Sequence, residues 1–205
     1  MPIDCDHKNL GLVTIPAGTR WLRVHEKKYE PTQFNPSPDG NARFSPITNA
    51  EGLIIPTLYT AEDEASALME TVLHDVPSPS AGFIYVAPAI EDRQLATLVN
   101  QVPLQLGNLQ VMGLKRLGVS GAAVIDGDKP TYGDTRDFAR ALHAARSDIQ
   151  GLVWDSRQTK KQVVVLFKDR LPADALTCIG STNVADRSVQ SILYDLLEIL
   201  GASAI

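Results

Sequence analysis

The chain has 205 residues, 44% hydrophobic and 21% charged, a composition that fits one compact globular domain with material for a buried core. A net charge of −5 without any dense Lys/Arg block excludes the electrostatic footprint of a general nucleic-acid binder, and the longest apolar runs fall well short of a membrane span. Small molecules or proteins are therefore the expected partners, with no nucleic acid and no membrane.

Cys5 and Cys178 form neither a metal-ligand spacing nor a disulfide framework, and the opening MPIDCDHKNL lacks the apolar core of a signal peptide. A reduced, cytoplasmic protein is expected. In chain order, RWLRVH alternates as a strand does and sets Trp21 and Arg23 on one face. The first third is punctuated by Pro31, Pro36, Pro38, Gly40, Pro46, Gly52 and Pro56, which predicts short strands joined by loops in a shaped rim. The period changes in TAEDEASALMETVLHD. There Ala61, Ala65, Leu68, Met69 and Val72 share a helical face, Thr60 and Asp63 stand at capping-box spacing, and the helix is expected to stop before Pro77.

GFIYVAP at 82 to 88 and SGAAVID at 120 to 126 read as buried strands, with helical pieces expected at 91 to 100 and over TRDFARALHAARS, 135 to 147. GLVWDSRQTKKQVVVLF then carries two β-rich runs, Leu152 to Trp154 and Val163 to Phe167, separated by a polar turn, the pattern of a hairpin. The tail RSVQSILYDLLEILG, about 186 to 200, predicts an amphipathic helix closed by Gly201. Mixed elements without regular βαβ alternation point to an α+β fold around a curved or split sheet, in one domain over 1 to 205.

Four acids crowd the start of the predicted helix region. Glu62, Asp63 and Glu64 fall in its first turn, where free backbone N–H groups and the helix dipole favour negative side chains by about 0.3–1 kcal/mol each. Glu70 lies beyond that effect, beside Ser66, Ala67 and His74 at helical spacing. Spacing alone leaves it as a solvated flank residue or a chemical one. Arg23 reads as an exposed strand residue or as a guanidinium held beside an aromatic. Ser156 and Arg157 follow a strand end that can reach into a cleft, although Asp155 and Ser156 are also turn formers. Tyr59 offers a face for a flat ligand or packs in the core, and Arg43 contacts an anion or the solvent. The GxGxxG, GxxxxGK[ST] and GxSxG motifs are absent, and His7, His25, His74 and His143 show no metal-ligand spacing, so no metal is expected.

Taken together, WLRV, FNP…RFSP at 34 to 46, LYTAEDEASALMETV, YGDTRDFARALH and GLVWDSRQ resemble, in content and order, the RES domain family. That family is named for an Arg, a Glu and a Ser, which here correspond to Arg23, Glu70 and Ser156. The resemblance covers about residues 18 to 170. It implies an ADP-ribosyltransferase-like fold related to the diphtheria-toxin catalytic domain and a toxin of a toxin–antitoxin pair, restrained by an Xre-type helix-turn-helix antitoxin. NAD⁺ is then the substrate, destroyed by hydrolysis or phosphorolysis of the nicotinamide–ribose bond.

The implied roles are a carboxylate facing the ribose cation for Glu70, a pyrophosphate grip for Arg23 with Arg43 in support, stacking on nicotinamide for Tyr59, and hydrogen bonds to the amide or ribose for Ser156. Two other readings stay open: an ADP-ribosyltransferase with a protein acceptor, and a non-catalytic module in an Xre repressor complex. The acceptor and the oligomeric state, including a homodimer within the antitoxin complex, are not fixed by the sequence.

Overall fold

The computed structural model describes residues 3–76, 84–85 and 90–204. The first third supplies β1 (Leu12–Ile15), β2 (Arg20–Glu26), β3 (Ile47–Thr48), β4 (Ile54–Ile55) and β5 (Thr57–Ala61), the short strands that its Pro and Gly spacing predicts. Then come α1 (Glu64–Met69), β6 (Ile84–Tyr85), β7 (Arg93–Asn100), β8 (Leu104–Asn108), α2 (Val111–Leu117), α3 (Gly121–Val124) and α4 (Tyr132–Ala145). The chain closes with β9 (Gly151–Asp155), β10 (Gln162–Phe167), β11 (Leu176–Asn183), α5 (Arg187–Ile199) and β12 (Ser203–Ala204).

Eight strands form one mixed sheet in the order β1-β8-β9-β10-β5-β2-β7-β11. Only β8 and β9 pair in parallel within it, as the crossover through α2, α3 and α4 requires. The remaining neighbours are antiparallel, including the expected hairpin in which Trp154 opposes Val163. At the far end of that pair Gly151 lies so close to β10 that an added Cβ would stand 2.1 Å from the Val165 carbonyl oxygen.

Both faces of the sheet are buried, by different means. Leu152, Trp154, Val163, Val165 and Phe167 point into a cluster completed by Leu68 of α1, Phe138 and Leu142 of α4, and Val189 of α5. The alternating residues Val153, Val164 and Leu166 meet Ile15, Trp21, Leu58, Leu98, Leu104 and Leu106, all strand residues. A sheet face covered by no helix is buried only if the sheet curls on itself, so this second cluster is the inside of a half-barrel. Helix α5 packs on α1 through Leu193, Leu197 and Met69, and Gly201 beyond it takes φ 66, the left-handed conformation of a helix stop.

Three expectations need correction. Residues 91 to 100 are not helical. Their Leu95 and Leu98 look like a helical pair, but β7 lies between β2 and β11 with Leu95 on one face and Ala96 and Leu98 on the other, and pairing on both sides overrides the local pattern. SGAAVID is not a strand: Ser120 caps a single helical turn by accepting from the Ala123 N–H at 3.2 Å. At the first helix Thr60 and Ala61 stay in the sheet, and Asp63 is the N-cap, accepting from the Ser66 N–H at 2.8 Å. Of the expected strand GFIYVAP, only Ile84 and Tyr85 lie within the described residues.

Candidate active site

Strands β2 and β5 are neighbours in the sheet, yet one register pair, Leu22 with Ala61, joins them. Beyond it the strands part, and Thr57 at the far end of β5 exchanges both backbone hydrogen bonds with Asn35 instead, at 2.8 and 3.2 Å. The gap opens into a cleft of about 580 Å³, well inside the size range of small-molecule sites. One lip carries Leu22, Arg23 and Val24, and the other Thr57, Tyr59, Thr60 and Ala61. The walls are completed by Glu70, Thr71, His74 and Asp75 after α1, by Asn41 to Arg43, and by Lys129 and Tyr132 at the entry to α4.

Glu70 closes α1 as its C-cap, with its N–H bonded to the Ser66 carbonyl. Its carboxylate lines the cleft and accepts a 2.6 Å hydrogen bond from the Ser156 hydroxyl. Ser156 is fully buried and does not itself line the cleft. Its oxygen accepts from the N–H groups of Gln158 and Thr159 at 3.0 and 3.2 Å, which folds the turn between β9 and β10 around it. The same turn is fastened to α1 a second and third time, by Gln158 donating to the Met69 carbonyl and by the Thr159 and Ser66 hydroxyls at 2.8 Å. The Glu and the Ser therefore form one unit, a carboxylate held at its orientation by a buried hydroxyl.

The other three acids have structural work. Asp63 caps the helix, Glu62 accepts from the Gln162 N–H at 3.1 Å and meets Lys161 at 3.4 Å, and Glu64 is exposed in the first turn.

Arg23 is anchored by one guanidinium nitrogen to the carbonyls of Pro31 and Gln33, at 2.6 and 2.8 Å. Burial pulls its pKa down to about 10, and among the described residues no carboxylate pairs with it. A half-buried guanidinium on a cleft wall, without a carboxylate partner among the described residues, favours an anionic ligand. Trp21 turns its indole to Asn100. The arginine that stacks is Arg43, 4.7 Å from the centroid of the Tyr132 ring. Arg43 is buried, donates to the carbonyls of Val124 and Gly127 and to the Tyr132 hydroxyl, and so holds the loop that forms the far wall. Burial is also the main reason its pKa is lowered.

Tyr59 packs against the core and also lines the cleft. Its ring meets Trp154 edge-on at 6.1 Å and its hydroxyl accepts from the Phe44 N–H at 3.1 Å, while the residue lines the cleft. Burial raises its pKa to about 12. The structure thus brings Arg23, Arg43, Tyr59 and Glu70 to one cleft and places Ser156 behind Glu70.

Sequence reasoning passed over Arg93, Lys129, His74, Asp75 and Tyr132. Arg93 was hidden by the helical reading of its segment. Its guanidinium makes no hydrogen bond or ion pair among the described residues, although the residue lines the cleft. Tyr132 opens the quoted YGDTRDFARALH, and His74 stands four residues after Glu70, so both had a signal in the sequence. Thr60 adds a buried hydroxyl on the cleft wall without a partner among the described residues, a cost of about 1–3 kcal/mol. The cleft's cations, Arg23, Arg43, Arg93 and Lys129, outnumber its acids, Glu70 and Asp75, which suits a phosphate-bearing ligand.

A curled mixed sheet opened by a split, with a cationic cleft and one braced carboxylate in it, defines an α+β protein. The chain belongs to the RES domain family, whose model matches residues 20–186. Among solved structures, a chain of the M. tuberculosis MbcT–MbcA toxin–antitoxin complex is similar, with a TM-score of 0.63 and 15% sequence identity over 87% of this chain and 91% of that one. A likeness at that identity is one of fold. No curated protein matches the sequence. Among the described residues no helix is long and apolar enough to cross a membrane, and no group of three or more His, Cys, Asp or Glu is placed to hold a metal ion.

Proposed function

We propose that the protein is the toxin of a toxin–antitoxin pair and cleaves the nicotinamide–ribose bond of NAD⁺ in the cytoplasm. The observation that carries this reading is Glu70, held by Ser156 at 2.6 Å on the wall of a cationic cleft. Breaking that bond builds positive charge on the ribose C1′ in an oxocarbenium-like transition state, and a carboxylate fixed in advance stabilises the charge as it develops. Orientation is what Ser156 contributes. Arg23 grips the pyrophosphate, and Arg93 on the same cleft is a second cation for it. Tyr59 offers its ring to the nicotinamide. Nicotinamide leaves a cationic nitrogen as a neutral molecule, so its departure requires no Lewis acid.

The split, curled sheet with its cleft at the split supports the proposed kinship with ADP-ribosyltransferases. Similarity of fold to a chain of a toxin–antitoxin complex supports an antitoxin partner, which we take to be an Xre-type helix-turn-helix protein covering the cleft. Chromatography of NAD⁺ incubated with the purified protein tests the enzymatic reading, with water, inorganic phosphate and cell extract each supplied as acceptor. Release of nicotinamide is expected. Intact NAD⁺ under all three conditions, with the protein folded, overturns it.

A further inference from the structure

We infer that His74 is the base that accepts the proton of the attacking molecule once the nicotinamide–ribose bond has opened, an inference that rests on the proposed NAD⁺ cleavage. His74 lines the cleft together with Glu70. Its Nδ1 lies 2.7 Å from an oxygen of Asp75, and its Nε2 lies 3.3 Å from the Tyr132 hydroxyl. The Tyr132 oxygen in turn receives an N–H from Arg43 at 3.3 Å, so its own proton is free to point at Nε2. An ionised Asp75 can only accept, so a ring proton sits on Nδ1, and in the neutral imidazole Nε2 is the acceptor, next to the Tyr132 hydroxyl.

The remaining charged groups support that arrangement. Lys129 occupies the second oxygen of Asp75 at 2.6 Å, and hydrogen bonds from Lys129 and His74 hold the Asp75 carboxyl below the usual carboxylate range, so it stays ionised opposite the imidazole. Asp128, close enough to feel His74, is held by Arg157 at 2.8 Å. The contact between Tyr132 and Nε2 is long for a hydrogen bond of its kind, and is therefore weak enough to be exchanged for one from an incoming hydroxyl.

Glu70 is poorly suited to the same task. One of its oxygens already accepts the Ser156 proton, and its charge is committed to the ribose cation. The step balances as follows. The C1′–N bond breaks and its electron pair stays on nicotinamide, the oxygen of water bonds to C1′, and the water proton passes to Nε2 of His74. The resulting imidazolium is stabilised by Asp75 and returns the proton to solvent.

Nicotinamide itself is a nucleophile with no proton to lose, so its return to C1′ needs Glu70 and not His74. This separates the two residues experimentally. Labelled nicotinamide is supplied with NAD⁺ and the purified protein, and both exchange of label into NAD⁺ and net loss of NAD⁺ are followed. His74→Ala is expected to retain exchange while net loss falls by about 100-fold, the low end of general-base effects. Glu70→Gln loses both. His74→Asn, read by the same ratio, serves if thermal melting shows His74→Ala unfolded. Net loss at the wild-type rate in His74→Ala overturns the inference, as does an equal fall in exchange and net loss in a folded variant. Wild-type protein that neither exchanges nor consumes NAD⁺ overturns the proposed function and this inference together.

Discussion

Ser156→Ala tests whether the serine serves the carboxylate or the ligand. The substitution removes a donor 2.6 Å from an ionised acceptor and an acceptor for two backbone N–H groups, within a residue that is fully buried. A hydrogen bond to a charged group contributes about 1.5–3 kcal/mol. The Gln158 and Thr159 amides lie in partly exposed residues that water can reach, and together they add about 1 kcal/mol. A loss of about 2.5–4 kcal/mol follows, or about 5–16 °C in Tm for a chain of this size. Glu70 is then free to swing, and a misplacement of about 1 Å at a reacting centre costs about 100-fold in rate. The expected result is a large fall in kcat with KM nearly unchanged, measured by nicotinamide release beside a thermal melt. A raised KM with kcat preserved refutes the reasoning, because it would mean that the hydroxyl handles substrate. An unchanged Tm would show that the three hydrogen bonds contribute little.

Other expectations follow from the same geometry. Glu70→Gln keeps the Ser156 contact but loses the charge, so NAD⁺ consumption falls by about 100- to 1,000-fold; the exposed Glu64→Gln leaves turnover unchanged and costs at most about 1 kcal/mol in thermal stability. Arg23→Lys weakens NAD⁺ binding by about 10- to 100-fold in calorimetry on a Glu70→Gln background, because an ammonium cannot reproduce a two-pronged grip. Tyr59, with its folded pKa raised to about 12 from an ordinary 10.0, contributes stability that is complete below pH 10 and is lost as pH rises through 12. Urea titrations at pH 9 and pH 11 should show that fall, and Tyr59→Phe should reduce it. Gly151→Ala places a methyl against the Val165 carbonyl and should lower Tm by loosening β9 from β10; an unchanged melt would refute that close contact.

The elements legible from sequence are those whose pattern and environment agree. The β9–β10 hairpin alternates between two buried faces, α4 and α5 carry one apolar stripe each, and the Pro-rich first third breaks where its prolines stand. The failures are places where neighbours decide. Residues 93 to 100 carry apolar spacing compatible with either period, and only the flanking strands β2 and β11 select the extended form. The short apolar run at 121 to 125 has the composition of a strand, but Ser120 supplies a cap that local pattern reading does not weigh.

The cleft was legible through its family motifs rather than through spacing. Arg23, Arg43, Tyr59 and Glu70 are recovered as cleft residues, while the partners Val124 and Gly127 of Arg43 and Ser156 of Glu70 are far away in sequence, and no periodicity announces them. Ser156 shows the limit most clearly, since its residue type was the signal and its place behind the carboxylate was not readable.

The split between β2 and β5 also makes the width of the cleft a property of the core. Each lip is held by its own half of the sheet, β2 by β7 and β5 by β10, and the halves meet at the Leu22–Ala61 pair and through Trp21, Leu98, Leu58 and Val164 behind it. Those side chains act as a wedge that sets the gape of the mouth. Their volume is therefore a coordinate of ligand fit, and trimming the wedge alters what the mouth admits even where no ligand touches it.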